Sequence, residues 1–92
     1  MPRPHKRRRI QGKVKSDYFK PAGIPLKAIE EINLTMPEFE AIRLIDFEEI
    51  PQEQAAGKMK ISQPTLSRIL KSARKKISEA IIKGKAIKIE KV

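Results

Sequence analysis

Apolar residues recur at helical spacing through the second half of the chain. Leu66, Ile69, Leu70, Ala73 and Ile77 fall within roughly 100° of arc on a helix that turns about 100° per residue. The stripe continues through Ala80 and Ile81 towards Lys83, so the pattern predicts one long helix packed on one side. Ser62 stands where that helix needs an N-cap, and Pro64 lies in its first turn, where a missing N–H costs little. Gly84 suits a left-handed residue just past its end. A shorter helix is predicted over Gln52 to Met59, with Ala55, Ala56 and Met59 on its apolar side. Ala56 is small where two crossing helices must approach, and Met59 and Ile61 bracket a tight turn. A further helix opens at Thr35, because Thr35-Met36-Pro37-Glu38 has capping-box spacing with proline in the first turn. Phe39, Ile42, Leu44 and Ile45 supply its buried stripe. It ends near Glu49, ahead of Pro51, since the residue before a proline avoids the α region.

Alternation replaces the helical period at two places. Glu31 to Leu34 reads as a short strand, and Ala86 to Val92 as a terminal one. An isolated strand is unstable, so the two are expected to pair as a small two-stranded sheet. Residues 1–23 have no sustained apolar period and read as a basic, partly disordered arm, with Tyr18 and Phe19 anchoring its end. Residues 24–92 then form one mainly α, three-helix domain with a short terminal β-strand pair.

Charge sharpens this picture. The 92 residues carry 21 Lys and Arg against 11 Asp and Glu, a formal charge of +10, which attracts polyanions. The charges are segregated. Residues 1–20 hold eight bases and one acid, residues 30–54 eight acids and one base, and residues 55–92 eleven bases and two acids. Glu38, Glu40, Glu48, Glu49 and Glu53 scatter in helical phase, so they are expected to form a solubilising outer face, not a metal site. No run approaches the roughly 18 apolar residues of a membrane span, and no apolar segment follows the basic N-terminus as in a secretory signal. The expected location is the cytoplasm.

Two short helices joined by a tight turn, the second with a basic outer face, are the layout of a DNA-binding helix-turn-helix. Double-stranded DNA is therefore the expected partner. The candidate base contacts are Gln63, Ser67, Arg68 and Lys71. Arg68 can donate two parallel hydrogen bonds to guanine O6 and N7, and Gln63 can pair with adenine N6 and N7. Ser62, Thr65, Ser72, Arg74, Lys75 and Lys76 are the candidate phosphate contacts. The N–H groups at the start of the long helix are a further candidate phosphate site. Arg3, Lys6, Arg7, Arg8 and Arg9 form the arm's contact set, either in the minor groove or as a non-specific tether. The alternative is that Arg68 to Lys76 is only the solvated side of an amphipathic helix. His5 is the only histidine and there is no cysteine, so neither a metal nor another cofactor is expected. No nucleophile–base pair or Gly-rich phosphate loop points to an enzyme, and no catalytic residue is assigned.

The blocks FKPAGIPL (Phe19 to Leu26), LTMPEFEAIRLIDFE (Leu34 to Glu48) and QEQAAGKMKISQPTLSRILKSARKKISEAIIKGKAI (Gln52 to Ile87) resemble a family of small, largely uncharacterised prokaryotic proteins. That family carries a helix-turn-helix similar to region four of sigma factors. The resemblance runs nearly end to end. It implies a sigma region-four-like fold of the winged-helix-like superfamily and sequence-specific DNA binding in transcriptional regulation. Three departures stand out. Lys60 occupies a turn position where the motif usually has glycine, which implies a left-handed lysine at a cost of about 1 kcal/mol. Pro51 replaces the usual Ser or Thr cap. The cysteines that some relatives carry near the arm are absent, so no metal-linked role is carried over.

Two other functions compete with a DNA-reading regulator. One is a protein-interaction adaptor that contacts the transcription machinery, RNA polymerase above all, through the acidic helix Glu38 to Glu49. The other is a non-specific nucleic-acid binder. One helix reads few base pairs, so a homodimer is expected, with the long third helix and Ala86 to Val92 as its surfaces.

Overall fold

The computed structural model describes residues 14–90. The first helix, α1 (Met36–Ala41), is opened by a complete capping box. The Glu38 N–H donates to Thr35 Oγ1 at 3.2 Å, and the Thr35 N–H donates to Glu38 Oε1 at 2.9 Å. The helix then widens into a π-helix, Ile42–Phe47, in which the Glu48 N–H reaches back five residues to the Arg43 carbonyl at 2.9 Å. Wider turns rotate the buried stripe. Ala41 and Leu44 lie at its centre, while Phe39, Ile42 and Ile45 are only half-buried. Glu49 ends the segment in the left-handed region, at φ 58°.

Helix α2 (Gln52–Met59) follows Pro51, which gives it no side-chain cap. It stops at Lys60, whose φ of 59° and ψ of 44° are left-handed, as its place in the turn implied. The Lys60 and Ile61 N–H groups donate to the Gly57 and Ala56 carbonyls, closing the turn. Ser62 then caps α3 (Gln63–Lys83) by accepting the Thr65 N–H at 3.2 Å. Gly84 ends α3 at φ 68°. A single core joins these elements: Ala41, Leu44, Ala55, Ala56, Met59, Leu66 and Leu70 are buried together.

The expected strand pair is a three-stranded sheet. Strand β3 (Ala86–Ile89) lies in the middle, between β1 (Tyr18–Phe19) and β2 (Glu31–Leu34). β1 is antiparallel to β3, with Tyr18 opposite Lys88. β2 is parallel to it, with Ile32 opposite Ile87. A parallel pair needs a long crossover, and the whole helical block supplies it. The segment read as an arm thus contributes a strand at its end. The middle of α3 packs on the sheet through a second cluster of Leu34, Met36, Ala73 and Ile89. β3 is paired on both sides and offers no free edge, which removes strand addition along it as a dimer contact. Residues 91–92 of the expected terminal strand lie outside the described residues.

Two further expectations are corrected. Glu38 and Glu40 do not face solvent: they are 6% and 1% exposed. Ile81 does not lie in the core, because α3 outruns the elements that cover it, and Ile81 is 71% exposed.

Candidate nucleic-acid interface

The side chains of α3 fall into three groups according to phase. Leu66, Leu70, Ala73 and Ala80 point into the fold and are buried. On one flank Arg74 reaches the π-helix, donating from Nη2 to Asp46 Oδ1 at 2.6 Å and from Nε to Oδ2 at 3.2 Å. On the other, Lys76 donates from Nζ to Glu38 Oε1 and to the Asn33 carbonyl, both at 2.8 Å. Ser72 joins it, donating to Glu38 Oε2 at 2.6 Å. The outer stripe is different. Arg68, Lys71 and Lys75 are exposed, and among the described residues none of the three side chains makes a hydrogen bond or an ion pair, although the Lys75 charge is felt by Glu79 one turn further along. Their spacing of three and four residues places them on one helix face over about 10 Å.

The base candidates Gln63, Ser67, Arg68 and Lys71 are all exposed. The phosphate candidates are more divided. Lys75 is exposed and makes no hydrogen bond or ion pair among the described residues, whereas Ser72, Arg74 and Lys76 have the internal partners given above. Ser62 and Thr65 are engaged with each other: the Ser62 hydroxyl donates to Thr65 Oγ1 at 2.9 Å, on top of the cap itself. The start of α3 offers few N–H groups to a phosphate, because Pro64 has none and that of Thr65 is taken by the cap. Arg3, Lys6, Arg7, Arg8 and Arg9 lie outside the described residues, as does His5.

Residue-by-residue reading missed Lys58 and Lys60 as interface candidates. Both are exposed beside the turn that leads into α3. The available signal was the left-handed turn itself, which brings the end of α2 against the start of α3. Lys58 and Lys60 thus add two exposed cations beside the start of α3, and neither side chain makes a hydrogen bond or an ion pair among the described residues.

Beneath this end, carboxylates hold the helices in place. The Glu38 carboxyl accepts from Thr35 N–H, Ser72 and Lys76. Burial alone would raise its pKa. The bonds from Lys76, Ser72 and the Thr35 N–H, with the Lys76 charge, outweigh burial and hold it below the ordinary glutamate value. Glu40 takes a two-point contact from Arg43, with Nη2 to Oε2 at 2.7 Å and Nε to Oε1 at 3.0 Å. Arg43 also pairs with Glu48, which the π turn places on the same face five residues later. The Glu40 bond raises the Arg43 pKa; burial opposes this, and the Glu40 and Glu48 charges add to the rise. Among the described residues, no group of three or more His, Cys, Asp or Glu side chains could hold a metal ion. No helix of the described residues is long and apolar enough to cross a membrane.

Residues 1–91 match the model of a family described as "Protein of unknown function DUF134". The chain belongs to this family. Relatives of this DUF134 chain are called UPF0251 proteins. One from Caldanaerobacter subterraneus is 52% identical over 90 residues, covering 98% of this chain and 76% of the relative. One from Dehalococcoides mccartyi is also 52% identical, over 98% of this chain and 77% of the relative. A third, from Moorella thermoacetica, is 49% identical over 98% of this chain but only 60% of its own length. No solved structure matches.

Proposed function

We propose that this chain is a sequence-specific double-stranded DNA-binding protein acting in transcriptional regulation. In this reading α2 and α3 are a helix-turn-helix similar to that of sigma factor region four, and α3 enters the major groove. One observation carries the reading. Arg68, Lys71 and Lys75 make no hydrogen bond or ion pair among the described residues and stand exposed on the outer face of the helix that follows a tight two-helix turn. Arg74 and Lys76, on the flanks of α3, are drawn into the fold by Asp46 and Glu38. Gln63, Ser67, Arg68 and Lys71 approach base edges, and Lys58, Lys60 and Lys75 approach phosphates. Lys76 and Arg74 serve the fold first.

Selection from a random duplex library at about 150 mM salt tests this. One motif is expected to emerge, and Arg68→Ala should relax a single position in it by about 1–3 kcal/mol. No enrichment, with binding that disappears as salt rises, would mean a non-specific polyanion binder.

The adaptor reading keeps one specific support. Phe47 is 80% exposed at the end of the π-helix, with exposed Glu48 and Glu49 following it. Such a lone aromatic in an acidic rim is suited to a basic protein partner. Glu40 plays no part in that surface, because it is buried under Arg43. Loss of partner binding in Phe47→Ala, with DNA selection intact, would favour the adaptor.

A further inference from the structure

We propose that Arg74 is a phosphate contact held in reserve by Asp46, so that the Asp46 carboxylate and a DNA phosphate compete for one guanidinium. The proposal rests on the DNA binding proposed above. Arg74 grips Asp46 in a two-point fork, with Nη2 to Oδ1 at 2.6 Å and Nε to Oδ2 at 3.2 Å. A phosphate offers the same pair of oxygens to a guanidinium. The Asp46 carboxylate is therefore a stand-in for the ligand, supplied by the π-helix beside the helix that meets DNA.

The two flanks of α3 differ in what release would cost. A helix about 10–12 Å across fills a major groove about 12 Å wide. Its outer stripe then faces the base edges, and its flanks face the phosphate walls. Arg74 lies on one flank, about 60° around the helix from Lys71. Lys76 lies on the other and cannot leave cheaply: the Glu38 side chain is 8% exposed, so losing Lys76 would strand a buried carboxylate. The Asp46 side chain is 39% exposed and that of Arg74 54%. Water can replace either partner, and an exposed pair of this kind holds little free energy against a competitor. Neither side chain makes a second hydrogen bond or ion pair among the described residues, so nothing else has to break.

A carboxylate and a phosphate repel each other across one guanidinium. A phosphate drawn in by Lys71 and Lys75 thus displaces Asp46 instead of joining it. A phosphate contact carries no sequence information, so Asp46 lowers affinity for every duplex alike. It tempers the general attraction that a charge of +10 creates and leaves base reading by Gln63 and Arg68 untouched.

Titration of the full chain against a fluorescent random-sequence duplex of about 20 base pairs, at about 50 to 250 mM salt, tests the exchange. Asp46→Asn should bind about five-fold more tightly at an unchanged salt slope. Arg74→Ala should bind about five-fold more weakly, with a log–log slope lower by about one. The double variant decides. In the Arg74→Ala background, Asp46→Asn should change affinity by less than about two-fold, because no guanidinium remains to be released. Glu49→Gln removes a nearby exposed acid that holds no arginine, and it should also stay within about two-fold. Thermal midpoints should stay within about 5 °C of the wild type. Equal gains from Asp46→Asn with and without Arg74 overturn the proposal, since the acid would then act through its charge alone. So does an Arg74→Ala variant of unchanged affinity and slope. A fall of more than about 10 °C in Asp46→Asn would make the pair a structural clamp and overturn it too. The exchange seen on random duplex, with no motif enriched from a library, would refute the regulator reading and leave this contact standing. An enriched motif with an Arg74→Ala variant of unchanged affinity would do the reverse. A wild type that binds no duplex overturns both.

Discussion

Lys75 and Lys76 are neighbours in sequence and belong to different regions of the molecule. Lys76 lies on the inner flank of α3, tied to Glu38 and to the Asn33 carbonyl. Lys75 lies on the outer stripe with Arg68 and Lys71 and makes no hydrogen bond or ion pair among the described residues, its charge being felt by Glu79 one turn further along. The residue type is the same and the difference is one step of about 100° around the helix. Basic composition therefore says little about which cations remain for a ligand. An acid brought within reach by a distant element removes a cation from the interface, as Asp46 does to Arg74 and Glu38 to Lys76.

The largest expected effect comes from removing the acid that separates the two regions. Glu38→Ala should cost about 2–3 kcal/mol, because it leaves Lys76, Ser72 and the Thr35 N–H without their acceptor. For a domain of this size the thermal midpoint should fall by about 10–20 °C. A fall of less than 3 °C would mean that the inner flank contributes little to the fold. The same group predicts an acid limb. Its folded pKa lies below the ordinary value, so its contribution is complete above the usual glutamate pKa of about 4.3 and declines as pH falls through the lowered folded value. Urea midpoints at pH 7 and pH 3 should show that decline in the wild type. Glu38→Gln should flatten it.

The neighbouring lysines sharpen the contrast with a smaller effect. Lys76→Ala should cost roughly 1–2 kcal/mol of stability by leaving Glu38 buried with a lost ion pair. Lys75→Ala should stay within about 0.5 kcal/mol of the wild type. On DNA the order reverses. Lys75→Ala should weaken binding to all sequences and reduce the log–log salt slope by about one. Equal stability losses for the two variants would erase the distinction between inner flank and outer stripe.

Much of the architecture was legible because helix ends are written in local chemistry. Thr35 with Glu38, Ser62 with Pro64, and Gly84 each act within a few residues of their own position, and the helices open or close where they stand. The outer stripe was legible too, since phase alone places Arg68, Lys71 and Lys75 opposite Leu66 and Leu70. Arg74 and Lys76 lie about 80° to either side of the core direction. There the fate of a side chain depends on what packs alongside, and Asp46 and Glu38 are far away in sequence. Glu38 and Glu40 looked like surface acids for the same reason. The π-helix left no trace because widening over six residues changes the period too little to stand out in a short stripe. β1 is two residues long and carries no alternation to detect. Ile81 keeps the core phase, and only the position at which the covering elements stop makes it surface.

Lys60 offers the finest separation of fold from interface, because in one residue the two are opposed. Its backbone is left-handed at φ 59°, a conformation that a side chain with a Cβ resists. Glycine adopts it freely but loses more backbone freedom on folding. The balance should leave Lys60→Gly more stable by about 0.5 kcal/mol, seen as a small rise in the urea midpoint at unchanged slope. The same substitution removes an exposed cation beside the start of α3, so affinity for duplex DNA should fall by about one phosphate contact and the salt slope with it. Stability up and affinity down would mean that the turn accepts strain in order to present a charge. A stabilised variant with unchanged DNA affinity and salt slope would place the interface farther along α3, on Arg68, Lys71 and Lys75 alone.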